Sequence, residues 1–230
     1  MGTPPQSRAY AKREREELKI SLKKFQCLKC GSCCKASHIS LLPHELTILK
    51  RLAEKLRTRL EVGFDYTVYD KRSNSRIVLT YYMMLNDDNT CPFLTDDNLC
   101  SIHYIYKPLV CRAFPYVPSE VRYFYNPYTK TVFHKTEFAI SYACPVIRRN
   151  KALFMSEDES SKKRSAIFLS EQLKAAREFE EQRTRYVQAL SYLWKIGLVD
   201  LEFKSQRNGP VVNAYTFIRQ FIPYFVFRKL

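Results

Sequence analysis

Between Pro43 and Leu60 the apolar residues Leu46, Leu49, Leu52, Ala53, Leu56 and Leu60 recur every three or four positions, the spacing that keeps one face of a helix apolar. Proline is tolerated at a first helical residue, so Pro43 opens an amphipathic helix expected over 43–60. The period then changes. "FDYTVYD" (64–70) and "RIVLTYYMML" (76–85) are β-branched and aromatic runs around the polar "KRSNS", which predicts a hairpin. "VRYFYN" and "KTVFHKT", on either side of Pro127, predict another. Ser156 with Glu159 makes a capping box. From there Ile167, Leu169, Leu173, Phe179, Tyr186, Val187, Leu190 and Trp194 share one side of a long helix that Gly197 stops. "GLVDLEFK" and "PVVNAYTF" flank "SQRNG" and predict a terminal hairpin turning on Asn208-Gly209.

These elements describe an α+β protein in three parts. Residues 1–24 are a polar lead-in whose larger apolar residues, Tyr10, Leu18, Ile20 and Leu22, are too few to anchor it. Residues 25–150 are expected to form a small irregular cysteine-rich domain with one amphipathic helix and two hairpins. Residues 151–230 are expected to be a helical segment with the terminal hairpin, packed on that domain. A long helix followed by a basic-tipped hairpin is also how a winged-helix module ends, so that reading stays open. The chain has no internal repeat and no low-complexity tract.

Eight cysteines in 230 residues change the picture, because four of them fall in "CLKCGSCC". A chain of this length buries roughly 70 to 75 % of its unfolded surface and has no need of disulfides to hold a core. Its start is charged, without the apolar stretch of a secretory signal, and Gln6 breaks the myristoylation pattern begun by Gly2. No apolar run approaches the ~18 residues of a membrane span; "FIRQFIPYFVF" is interrupted by Arg219, Gln220 and Pro223. A cytoplasmic location is therefore expected, and clustered thiols in a reducing compartment point to metal or redox chemistry. The formal charge is +15, which raises nucleic acid as a partner, yet it is spread along the chain: +4 over 1–26, +6 over 27–150 and +5 over 151–230. Basic groups also favour thiolate over thiol.

Cys27, Cys30 and Cys33 are spaced C-x2-C-x2-C, and such turns bring sulfurs onto one metal centre in zinc ribbons and iron–sulfur loops. Gly31 stands where the loop needs a left-handed backbone. Cys34 is vicinal to Cys33, and neighbouring side chains diverge, so it is expected to serve another centre or a fourth corner. Cys91, Cys100, Cys111 and Cys144 complete the set. Cys91 and Cys144 each precede a proline, and "LTDDNL" forms a turn that folds Cys100 back toward Cys91. Eight thiols suffice for two four-ligand sites. Arg112 is a candidate to steady a thiolate or sulfide beside Cys111. His103 follows Cys100 in C-x2-H fashion and reads as a surface residue rather than a ligand; His38 is a weaker candidate, and His44 and His134 belong to no constellation.

"CLKCGSCC", "CPFLTDDNLCSI", "KPLVCRAFPY" and the late "CP" resemble the YkgJ-type cysteine-cluster family, described as a zinc- or iron-chelating domain and often as iron–sulfur-containing. The resemblance spans about residues 25–147, and all eight cysteines fall on its pattern. His103 and Lys107 stand where the family more often has tyrosine and arginine. The resemblance implies metal ligation by the eight cysteines, as an iron–sulfur cluster, expected to be 4Fe-4S, or as zinc. Through the cysteine segment the family also resembles flagellin lysine methylases, which implies an alternative as an iron–sulfur-dependent protein methylase.

All-thiolate ligation suits both metals. The C-x2-C-x2-C arm, the Cys-Pro pairs and the surrounding aromatics favour iron–sulfur, with a redox or cofactor-supported role and a redox or protein-substrate partner. Structural zinc beneath a basic nucleic-acid-binding C-terminal module is the alternative. Glycine occurs only at 2, 31, 63, 197 and 209, which excludes a GxGxxG or P-loop nucleotide site. Asp87-Asp88 and Asp96-Asp97 read as turns, and no catalytic triad or carboxylate pair emerges, so the sequence names no enzyme activity.

Overall fold

The computed structural model describes residues 24–36, 39–155, 158–203 and 208–226. Seven α-helices and seven strands lie among them: α1 (Ser32–Ala36), β1 (Ile39–Leu41), α2 (Pro43–Leu56), β2 (Val62–Asp70), β3 (Ser75–Met83), α3 (Leu109–Ala113), β4 (Tyr116–Asn126), β5 (Thr131–Ile140), α4 (Pro145–Arg149), α5 (Glu159–Phe168), α6 (Ser170–Lys195), β6 (Leu201–Glu202), β7 (Val211–Asn213) and α7 (Ala214–Phe221). The class is α+β. None of the helices described is long and apolar enough to cross a membrane.

Helix α2 begins at Pro43 as its sequence requires and buries Leu46, Leu49 and Ala53. It stops at Leu56, short of the expected Leu60, because Arg57 turns left-handed (φ 53°) and its N–H closes back on the last carbonyls. Strands β2 and β3 pair antiparallel from Asp70↔Ser75 to Val62↔Met83, the hairpin expected around "KRSNS". The far edge of β3 accepts β1 antiparallel, with Leu41 opposite Tyr81. β4 and β5 make the second hairpin, longer than its sequence signal and separate from the first sheet. It lies on α6, where Ser191 Oγ accepts from Val132 N (2.7 Å) and Arg183 Nη1 donates to Thr136 Oγ1 (2.8 Å).

Two expectations for the C-terminal part are corrected. The long helix is two helices, broken at Leu169, whose fully buried side chain marks the bend. Asp158 caps α5 by accepting from Ser161 N (2.7 Å), while the Ser156 expected to cap it lies outside the described residues. The terminal strands form no hairpin with each other. β6 pairs antiparallel with β2 (Asp70↔Leu201), and β7 pairs parallel with β3 (Ile77↔Val212), on opposite edges of the β2–β3 pair. Each strand takes an open edge at the turn end of that hairpin. The Asp70 carboxylate draws β6 in by accepting from Asp200 N (2.7 Å), and Asn213 ends β7 by capping α7 (Tyr215 N, 2.8 Å). Gly209 is needed for close approach, since a Cβ there would stand 2.5 Å from the Asn74 carbonyl oxygen.

One apolar cluster joins Leu41, Leu49, Ile77 and Leu79 from the first half of the chain to Phe179, Leu190, Leu193 and Phe217 from the second. Burying each such side chain contributes about 1.5–3 kcal/mol, so residues beyond 150 complete the core that supports the cysteine loops. A smaller cluster of Cys144, Ile147, Phe168 and Leu169 gathers Phe25 and Phe114 beside it.

Candidate metal centre

The first cysteine loop precedes and enters α1. Lys29 (φ 53°) and Gly31 (φ 69°) both take left-handed backbone, so the chain reverses between Cys27 and Cys30 and again before Cys33. Gly31 meets the expectation placed on it, and a Cβ there would come 3.0 Å from the Asn98 carbonyl oxygen. Cys34 N donates to the Gly31 carbonyl (2.8 Å), which starts α1 with Cys33 and Cys34 in its first turn. The Cys34 carbonyl then accepts from Cys91 N (2.8 Å), fastening the first cysteine group to the second by a backbone bond.

"LTDDNL" folds as expected. Thr95 and Leu99 bond across the turn (Thr95 N to Leu99 O, 2.8 Å), and Leu94 and Cys100 form an isolated antiparallel bridge. Cys111 sits in α3, whose Leu109 N donates to the Glu45 carboxylate (2.8 Å). Cys144 stands at the N-cap position of α4, ahead of Pro145, with no capping bond from its side chain.

All eight thiols are free and all eight line one cavity of about 370 Å³. Cys27 and Cys30 are exposed at its mouth, Cys33, Cys34, Cys100 and Cys111 are half-buried, and Cys91 and Cys144 are buried. The sulfurs of Cys33 and Cys34 stand 3.8 Å apart, and Cys91 Sγ is 3.6 Å from Met83 Sδ. Among the described residues no three of His, Cys, Asp or Glu already close on one point as a metal ion would need. The donor set fits a thiophilic metal nonetheless: eight sulfurs from five segments of chain, walled by Ile39, Phe93, Ile102 and Val110, with no carboxylate on the wall among the described residues.

Crowding sets the electrostatics. The Cys33 thiol is pushed far up, first by its hydrogen bond with Cys34 and then by burial. Cys34 is pulled down by that bond, but Cys91 and burial push it up to about 12. Burial raises Cys100, Cys111 and Cys144 as well. Cys30 is lowered instead, chiefly by Ser32, whose hydroxyl lies 3.2 Å from its sulfur. Lys107 lies close enough to Cys33, Cys100 and Cys111 to favour their thiolates, and Arg148 does the same for Cys30. A bound cation would offset the negative charge that these thiols otherwise avoid taking on, and so favour their thiolates.

Arg112 lines the cavity and pairs with Glu178 of α6 (3.6 Å). His103 lines it too, held below its usual range by burial and by Lys107 and Lys29, and packs edge-on against Tyr104. His44 and His134 lie elsewhere, against Tyr186 and Thr184, and His38 is outside the described residues. Three groups escaped the sequence reading. Glu45 is fully buried and accepts from Leu42 N, Leu109 N and Tyr106 Oη, tying α2 to the helix that carries Cys111. Its signal was readable: a glutamate two residues after a first-turn proline. Lys29 donates to Tyr104 Oη across the mouth, and Met83 places a thioether at the inner wall; neither has a sequence signature.

The family model CxxCxxCC, described as "Putative zinc- or iron-chelating domain", matches residues 26–145. The chain belongs to this family. The match covers more than half of the chain and contains every cysteine, and metal binding by zinc or iron is the chemistry its description carries. No curated protein and no solved structure matches the chain. In this CxxCxxCC protein the matched region ends at α4, while α6 and α7 beyond it close the core beneath the cysteine loops.

Proposed function

We propose that the chain binds metal through the thiolates of Cys27, Cys30, Cys33, Cys34, Cys91, Cys100, Cys111 and Cys144, as an iron–sulfur protein serving a redox role. The carrying observation is that all eight thiols line a single cavity. Inert thiols have no reason to converge from five segments. The choice of iron–sulfur over zinc is supported by the C-x2-C-x2-C arm, the prolines after Cys91 and Cys144 and the apolar and aromatic wall of the cavity. The apolar wall screens such a cluster from water and so tunes its potential. Eight unpaired cysteines suit a reducing compartment, which supports the cytoplasm as the location. A redox protein is the partner class this reading implies.

Substitution tests the ligand set. Cys30→Ser and Cys91→Ser should each lower bound iron and sulfide, whereas His103→Tyr should leave the metal content unchanged. If His103→Tyr strips metal as fully as the cysteine changes do, the ligand set is wrong.

A further inference from the structure

The positive charge of this chain is spread along its sequence, but folding gathers a share of it around the cysteine cavity. Residues 24–36, 98–112 and 144–151 frame that cavity, and together they hold eight lysines and arginines and no aspartate or glutamate. Lys24, Lys29, Lys35, Arg148, Arg149 and Lys151 are exposed. None of these six forms an ion pair among the described residues, although Lys35 lies near enough to Asp88 to act on its charge. Lys107 and Arg148 act on the thiols themselves, which leaves the other exposed cations as charge presented outward.

Between its cations the rim is apolar. Leu28, Leu99, Tyr104 and Ile105 are each half or more exposed, the first three on the cavity wall and Ile105 next to Tyr104 in the chain. Single bare apolar side chains are ordinary, but a group of them beside a cavity marks a contact surface. We propose that this rim is the docking face for a protein partner whose own contact surface is acidic around an apolar centre. This deepens the metal-centre reading and rests on it, because the partner seats where Cys27 and Cys30 are exposed at the mouth. Apolar contact at the centre supplies affinity, and opposite charge around it supplies orientation and rate. Nucleic acid fits less well, since Leu28, Leu99 and Ile105 offer no ring on which a base can stack. A lipid surface fits less well, since the apolar groups border a concave opening that a protruding element of a protein can enter.

The probe is a plant-type ferredoxin, a small and strongly acidic redox protein, titrated calorimetrically into metal-loaded full-length chain at low and high salt. Cytochrome c, small and basic, is its counterpart. Ferredoxin should bind one to one and more weakly as salt rises, and cytochrome c should not bind. Arg149→Glu with Lys151→Glu should weaken ferredoxin binding about tenfold at low salt. Lys130→Glu with Lys195→Glu removes the same charge but lies toward the end of α6 remote from Gln172 on the cavity wall, and should change little. Ile105→Ser should weaken binding at every salt concentration. Equal weakening by the two charge-reversed pairs, binding of cytochrome c as strong as that of ferredoxin, or binding to phosphatidylserine vesicles in place of ferredoxin overturns the docking face. Metal and sulfide are assayed on the same samples. Protein that carries no metal overturns the metal-centre reading and this inference with it, whereas metal-loaded protein that leaves ferredoxin unbound overturns this inference alone.

Discussion

Gly31 is the residue on which the cysteine loop turns. At φ 69° an L side chain costs about 1–2 kcal/mol, and a Cβ would also press on the Asn98 carbonyl at 3.0 Å. Gly31→Ala should therefore lower stability by about that amount and reduce metal content, measured by urea unfolding with metal analysis; full retention of both would show that the loop does not need this geometry. Its left-handed turn was legible because glycine between cysteines has few other uses. The cysteines themselves were legible by spacing and by the prolines after Cys91 and Cys144. Lys29 and Met83 were not, since a lysine in a loop and a methionine in a strand acquire a role only through what folding sets beside them.

Between elements, Glu45 is the clasp. A buried carboxylate that accepts from Leu42 N at 3.0 Å and Leu109 N at 2.8 Å serves two helix N-termini at once. Glutamine can accept from only one of them with its single carbonyl oxygen, so Glu45→Gln should cost about 1–3 kcal/mol in urea unfolding, the penalty of a buried unpaired donor. A loss below 0.5 kcal/mol, on the order of an ordinary surface change, would contradict the clasp. At this scale α2 could be read from its helical period, and both hairpins of the cysteine region from β-branched and aromatic runs around polar turns. β6 and β7 misled, because strands of two and three residues carry no periodicity of their own, and Asn208-Gly209 signals a turn whether or not the flanking strands pair. Leu169 continued the apolar stripe of the long helix, so the break there left no mark on the pattern.

For the molecule as a whole, α6 and α7 are part of the support for the cysteine loops, and that dependence shows in acid. Burial brings His44 down to about 4 from 6.5, against a hydrogen bond that favours its charged form. Between those values the unfolded chain takes up a proton that the folded chain refuses, so this contribution to stability is complete above pH 6.5 and is lost as pH falls toward 4. His44→Asn keeps a polar partner for the Tyr186 hydroxyl, 3.0 Å from Nδ1, and should narrow the drop in urea midpoint between pH 7 and pH 5. An unchanged drop would place the acid sensitivity elsewhere. The most direct measurement is the composition of full-length protein purified without air: an ultraviolet–visible spectrum with iron, zinc and acid-labile sulfide assays. The account predicts iron and sulfide together with a visible absorption that bleaches on reduction. Zinc without colour or sulfide would contradict the iron–sulfur assignment, and folded protein with neither metal and eight reactive thiols would contradict metal binding itself.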